Sequence, residues 1–320
     1  MHSLRLGTRG SLLALSQSRT TKAALEAQGV TQVELEIIRT TGDARLDKPL
    51  PEIGGKGLFT EELDQALLDG RVDLAVHSLK DLPTELPEGL CLAATPLRVD
   101  PRDVLVGPRD ERTTLTSLEK GAVVGTSSLR RGALLKAFRG DVEPRNIRGN
   151  VDTRLSKVDD GQYDAVILAG AGLIRLGLDH RASEWLERTA WLPAPGQGAL
   201  GIVTRADDTA TRSLVEELND APTRSAVRAE RALLASLGGG CQVPLGALGV
   251  QYEGGLRLWG VVASTDGTRV VRGDATGLAE EPVELGVRLA DLLRQKGAGA
   301  ILKEVFDALA EGEAGKGAGV

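Results

Sequence analysis

The sequence predicts an α/β protein of two hinged lobes followed by a small α+β domain. Three observations carry this. Short apolar strands alternate with amphipathic helices from Leu4 to Pro83, and the pattern resumes after Pro96. A Pro- and Gly-rich segment, Leu192 to Gly198, precedes a further apolar strand placed to return to the first lobe. From Gly246 to Leu309, strands come first and helices after. Alternation of strand and helix implies parallel sheets. Two such lobes joined by crossing segments hold a ligand in the cleft between them. The expected extents are 1–96 with 197–217 for the first lobe, 97–196 for the second, 218–311 for the third domain and 312–320 for a disordered Gly-rich tail.

At 320 residues the chain exceeds one ordinary core. A hydrophobic fraction of 41% beside 26% charged residues describes a soluble globular protein. Aromatic residues make up only 2% and the net charge is −6, which argues against a nucleic-acid partner. Arg5 and Arg9 interrupt the N-terminal apolar stretch, so it does not read as a signal peptide. The longest apolar run, Ala165 to Ile174, is too short to span a bilayer. A soluble, cytoplasmic protein without a membrane partner is expected. Cys91, Cys241 and the three scattered His residues offer no metal-ligand spacing, so no metal is expected.

Leu4 to Gly7 reads as the first strand, with Arg9 in the turn and Ser11 placed to cap a helix from Leu12 to Gln28. Val33 to Arg39 is a second strand. The polar loop 40–57 ends in GGKGLF, with Lys56 among glycines, and leads into a helix from Leu58 to Leu68. Val72 to His77 is a short buried strand with polar Ser78, Lys80 and Asp81 directly beyond its end, before Pro83. Ligands of open α/β sheets sit just there. His77 reads as a structural residue ending the strand, and Cys91, in LCLAATP, as a small buried hydrophobe.

In the second lobe, strands at Val104 to Val106 and Ala122 to Gly125 precede TSSLRRGALLKAF. Thr126, Ser127 and Ser128 offer hydroxyls at a helix start, and Arg130 and Arg131 fall in its first turn. Cations there oppose the helix dipole, which makes sense if an anion binds beside them. Asn150 reads as the next N-cap, flanked by Arg148 and Arg154, and a strand ending at Leu168 runs into a helix carrying Arg175. Arginines at consecutive strand-to-helix junctions converge on one crevice suited to a small polyanion, since guanidinium pairs bidentately with carboxylate and phosphate. Farther on, GGGCQVPLG presents Cys241 on an exposed loop, an accessible thiol.

HSLKDLPT, GGKGLF, GTSSLRR, NIRGNVDTRL, LAGAGLIRLGL, PGQGALGI and GGCQVPLG occur in one order. Together they closely resemble the porphobilinogen deaminase (hydroxymethylbilane synthase) family, from Leu4 to about Leu248. The resemblance implies two lobes like type II periplasmic-binding-protein domains with a hinge. It adds a small C-terminal α+β domain with a three-stranded antiparallel sheet. It implies a monomeric transferase of porphyrin biosynthesis, joining four porphobilinogen molecules head to tail with release of ammonia. One dipyrromethane cofactor would be bound through a thioether at Cys241, and Asp81 would be the catalytic carboxylate. Lys80, Asp81, Thr126, Ser127, Ser128, Arg130, Arg131, Arg148, Gly149 and Gln197 would hold the cofactor. Arg9, Ser11, Lys56, Phe59, Arg148, Asn150, Arg154, Ala169 and Arg175 would hold substrate. Each pyrrole brings two carboxylates, which accounts for the arginines. A carboxylate beside a pyrrole N–H stabilises the cation left when ammonia departs, and a tether makes each coupling effectively intramolecular. The rival reading, a two-lobed solute-binding or ligand-sensing protein without chemistry, leaves Cys241 and Asp81 without a role.

Overall fold

The computed structural model describes residues 3–40, 60–240 and 243–317, with side chains to Glu311. The first lobe contains β1 (Ser3–Thr8), α1 (Leu12–Ala27), β2 (Gln32–Ile37), α2 (Glu61–Leu68), β3 (Leu74–Ser78) and β4 (Leu90–Ala94). The predicted start of α2 at Leu58 lies outside the described residues. β10 (Leu200–Arg205) completes its sheet in the order β2-β1-β3-β10-β4, and α6 (Thr209–Glu216) follows. β1 runs parallel to β2 and β3, whereas β10 is antiparallel to both its neighbours. β3 is buried on both faces as far as His77, so Ala75 between Leu74 and Val76 is apolar as well.

The second lobe holds β5 (Asp103–Val106), β6 (Val123–Gly125), α3 (Leu129–Phe138), β7 (Glu143–Arg145), α4 (Val151–Asp159), β8 (Ala165–Ala169), α5 (Gly170–Arg175) and β9 (Glu184–Trp185). Its sheet order, β7-β6-β8-β5-β9, repeats that of the first lobe position for position. β5, the strand that follows the first crossing segment, occupies the slot that β10 occupies after the second, and it too is antiparallel to its neighbours. Each lobe thus receives one antiparallel strand from a crossing segment, the two-lobed hinged architecture that the resemblance implied.

Beyond the lobes, α7 (Ala221–Ser236) packs against the antiparallel sheet β11 (Leu245–Tyr252), β12 (Gly255–Ala263), β13 (Val270–Gly277) and against α8 (Pro282–Gln295). Leu233, Leu258, Leu289 and Leu293 are fully buried between them. α9 (Ala298–Gly317) ends the described chain. It continues through residues expected to be a disordered tail, because Ala, Glu and Lys between the glycines retain enough helix propensity to extend it; 318–320 lie outside the described residues.

The crossing segments, 95–102 and 192–199, lie side by side. Val99 N–H donates to Gly198 O at 3.3 Å. Gly198 has φ +86°, and a Cβ there would stand 2.6 Å from Val99 O, so only glycine fits. Glu230 of α7, fully buried, fastens both segments. It accepts from Arg98 Nη1 (2.6 Å) and Nη2 (3.2 Å), from Gly196 N (2.6 Å) and from Gly249 N (2.8 Å) of β11. One carboxylate therefore joins the third domain to the whole hinge.

Candidate active site

At the carboxyl end of β3 the chain makes a single 3-10 turn, Leu79–Asp81. Leu79, fully buried, donates its N–H to Ala199 O at 3.0 Å. Gly196, with φ +74°, lies under the Leu79–Lys80 peptide, where a Cβ would be 3.2–3.3 Å from its atoms. Arg231 of α7 holds the chain beyond the turn, donating to Leu82 O (3.2 Å), Pro83 O (2.6 Å) and Thr84 O (3.1 Å). So held, Lys80 and Asp81 diverge. The half-buried Lys80 ammonium points to the hinge, 3.4 Å from Gln197 Oε1, and burial pushes its pKa down to about 8, with Asp81 opposing. Asp81 is exposed and borders a cavity of about 70 Å³ shared with Arg9, Ser11, Gln17 and Ser78. Ser11 caps α1 as expected, accepting from Ala14 N at 3.3 Å.

Across the cleft, the arginines of α3 meet a partner that sequence reasoning missed. Asp103, fully buried at the start of β5, accepts from Arg130 Nη1 (2.7 Å) and Trp191 Nε1 (3.0 Å) on one oxygen. Its other oxygen accepts from Arg131 Nη2 (2.7 Å), Arg131 Nε (3.1 Å) and Gln197 Nε2 (2.8 Å). Burial alone would raise its pKa, but the two guanidinium groups override that and hold it well below the usual carboxylate range. Part of the charge that Arg130 and Arg131 would offer a bound anion is therefore offset by Asp103. In the sequence Asp103 directly precedes the apolar run Val104–Val106, which places an acid at a strand's start but does not name its partners. Gln197 ties the lobes together, since its Oε1 also takes Arg131 Nη2 at 3.4 Å.

The hydroxyls are engaged locally. Ser128 caps α3, accepting from Arg131 N at 3.4 Å, and Thr126 Oγ1 accepts from Ser128 N at 3.2 Å. Ser127 Oγ donates to Asn146 Oδ1 and Ile147 O, so it braces the 145–147 segment. Asn150 occupies the cap position of α4 without a side-chain capping bond; its backbone carbonyl accepts from Arg154 N at 3.0 Å. Gly149 has φ +110°, and its carbonyl accepts from Arg154 Nε at 2.8 Å. Burial, with Arg131 and Arg148 adding to it, lowers Arg154 to about 10. Ala169 stands at the start of α5, whose Arg175 donates to Gly198 O at 2.8 Å and is lowered by burial to about 10. Ser16 of α1 donates to Arg175 O at 2.8 Å across the lobes.

Lys80, Arg130, Arg131, Arg148 and Arg154 thus form a run of cations in mutual electrostatic contact, faced by Asp81 and Asp103. Arg130 Nε is buried with no partner. Such a wall accommodates several carboxylates. Cys241, Lys56 and Phe59 lie outside the described residues. Among the described residues no group of His, Cys, Asp or Glu is arranged to hold a metal, and no helix is long and apolar enough to cross a membrane.

Residues 4–213 match the family model described as porphobilinogen deaminase, dipyromethane cofactor binding domain, and 225–295 match the porphobilinogen deaminase C-terminal domain. The chain belongs to the porphobilinogen deaminase family. A porphobilinogen deaminase of Desulforudis audaxviator is 53% identical over 302 residues, covering 94% of this chain and 97% of its own length. That of Roseiflexus sp. is 51% identical over 301 residues, 93% and 98% of the respective chains. That of Syntrophobacter fumaroxidans is 48% identical over 307 residues, 95% and 98%. These similarities span the lobes, the hinge and the third domain together, so membership in this family of transferases applies to the whole chain. The dipyrromethane named by the family model fits this cleft: a cofactor bearing carboxylates meets a buried guanidinium nitrogen without an acceptor, beside Arg131 and Lys80.

Proposed function

We propose that this chain joins four porphobilinogen molecules head to tail into the linear tetrapyrrole hydroxymethylbilane, releasing ammonia, as a monomer in the cytoplasm. The observation that supports it most is the run of desolvated cations lining the cleft opposite one exposed carboxylate. When bound through a thioether at Cys241, the dipyrromethane supplies the nucleophilic pyrrole end to which substrate is joined.

This chain's own residues do the rest. Lys80, Arg130 and Arg131, with Thr126, Ser128 and Gln197 around them, are the groups suited to the cofactor's carboxylates; Ser127 contributes by fixing the 145–147 loop. Arg9 and Ser11, which border the small cavity beside Asp81, are with Arg148, Asn150, Arg154, Ala169 and Arg175 the groups suited to substrate, with Lys56 and Phe59 carried over from the GGKGLF motif; Arg148 and Gly149 also serve the cofactor. Asp81, kept at the cleft surface by the Leu79–Asp81 turn, accepts a pyrrole N–H and stabilises positive charge that develops on the ring as the amine leaves.

Mass spectrometry after incubation with porphobilinogen tests the assignment. A dipyrrole on the Cys241 peptide, with hydroxymethylbilane in solution, is the expected result; a bare polypeptide that forms no bilane overturns it. Asp81→Glu should lower turnover about a hundredfold, because one methylene displaces the carboxylate by roughly 1 Å. Turnover within a few-fold of wild type would remove Asp81 from the chemistry.

A further inference from the structure

We propose that Arg231 of α7 is the positioning residue for Asp81, and that α7 holds this carboxylate at a fixed spacing from the root of the Cys241 loop. The proposal rests on the porphobilinogen reading and names the third-domain element on which its chemistry depends.

Among the described residues, no side chain bonds to the Asp81 carboxylate, so its place is set by the backbone of the Leu79–Asp81 turn. That backbone is fastened at both ends. At its start Leu79, buried with Leu82 in one apolar cluster, gives its N–H to Ala199 O. Beyond its end the consecutive carbonyls of Leu82, Pro83 and Thr84 all accept from one guanidinium, Nη1 serving the first and Nη2 the other two. The planar, forked head of an arginine can fix successive peptide units in this way; a single ammonium cannot.

α7 presents this grip on one face. Val227, one turn before Arg231, is fully buried in the cluster that contains Leu79 and Leu82. Ala226, Ala229 and Leu233 of the same helix are packed into the core of the third domain. α7 therefore belongs to the third domain by its packing and grips the first lobe at the Asp81 turn. Its last turn serves the tether. Leu234 O, about 4.5 Å farther along the axis than Arg231, accepts from Gly239 N at 2.9 Å. Val243 is buried in the third-domain core, and a Cβ on Gly239 would stand 3.0 Å from its Cγ2. The described residues on either side of 241–242 are thus fixed to the helix that fixes Asp81.

This spacing matters because the pyrrole chain is anchored at one end and must meet the carboxylate at the other. A carboxylate misplaced by roughly 1 Å loses about a hundredfold in rate. A loosened turn still visits the right position part of the time, so the loss from releasing it is smaller.

The test is a double-mutant cycle with Asp81→Glu, run on the holoenzyme. Arg231→Met keeps the unbranched stem and removes the guanidinium. It should lower kcat about tenfold, with KM within about threefold and dipyrromethane content unchanged. Arg231→Lys, which keeps one donor head, should recover part of the loss. In Asp81→Glu, where the carboxylate is already displaced, Arg231→Met should lower kcat less than about twofold further. Where the methionine variant does not fold, Arg231→Lys carries the same cycle, with about a threefold loss that vanishes in Asp81→Glu. A merely structural role would act equally in both backgrounds. Equal losses, an unchanged kcat, or a loss that follows falling dipyrromethane content overturns the proposal. Wild-type protein that forms no bilane, or Asp81→Glu as fast as wild type, sinks the underlying reading, and the proposal with it.

Discussion

Asp103 and the side chains around it show what single residues contribute. Five donors from Arg130, Arg131, Trp191 and Gln197 converge on one carboxylate with no solvent exposure. Asp103→Asn keeps the shape, removes the charge, and turns an amide N–H toward a guanidinium. Breaking a buried pair in this way costs about 3–5 kcal/mol, so a large fall in the urea midpoint and loss of retained dipyrromethane are expected. The pH dependence has a definite sign. The folded pKa is depressed, so the stabilisation is complete above the unfolded value, about 3.9, and is lost as pH falls below it. The stability gap between wild type and Asp103→Asn should therefore shrink below about pH 4; a gap that widens in acid would contradict the assignment. The arginines of this cluster were legible in the sequence because GTSSLRR places them at a helix start. Their acid was not, because it lies 27 residues upstream of Arg130 on a different strand, and neither pattern nor spacing announces so distant a pairing. The bonds of Ser127 to Asn146 and Ile147 were equally illegible, because a hydroxyl beside a helix start looks alike whether or not a neighbouring loop also reaches it.

Among elements, the crossing segments are the least tolerant of change. Gly198→Ala adds a Cβ 2.6 Å from Val99 O at a φ of +86°, so backbone strain and a backbone clash act together. A loss of about 2 kcal/mol or more is expected. Gly299→Ala, in α9 with nothing within 4 Å of the new methyl, should instead stabilise by about 0.5–1 kcal/mol. Denaturant unfolding of the two variants checks both signs, and a harmless Gly198→Ala would mean that the segments separate readily. The α/β class was readable from elements because fully buried strands such as β3 and β8 leave continuous apolar runs between amphipathic helices. Element ends were less so. α9 runs past Leu309, where the last helix was expected to end, since glycines spaced among Ala and Glu weaken a helix without ending it.

For the molecule as a whole, Glu230 decides how far three bodies unfold as one. It is the common acceptor for the first crossing segment, through Arg98, for the second, through Gly196 N, and for β11, through Gly249 N. Glu230→Gln keeps the size but presents donors where two backbone N–H groups and a guanidinium already donate. Calorimetry should show the wild-type transition separate into two, with the third domain melting apart from the lobes. A single transition merely shifted to lower temperature would mean that the domains are coupled chiefly through their apolar contacts. The repeated sheet order of the lobes was implied by family likeness, but this knot was not, because it depends on side chains brought together from three distant stretches of chain.

The tripeptide Gly196–Gln197–Gly198 touches more than its length suggests. Gly196 supports the Lys80 turn, Gln197 receives Lys80 and Arg131, and Gly198 O holds Arg175. The pivot of the molecule and the spacing of its anion-gripping groups are therefore one mechanical coordinate. Any swing of a lobe re-spaces these cations together, so the width of the cleft and the length of polyanion it grips best change in step.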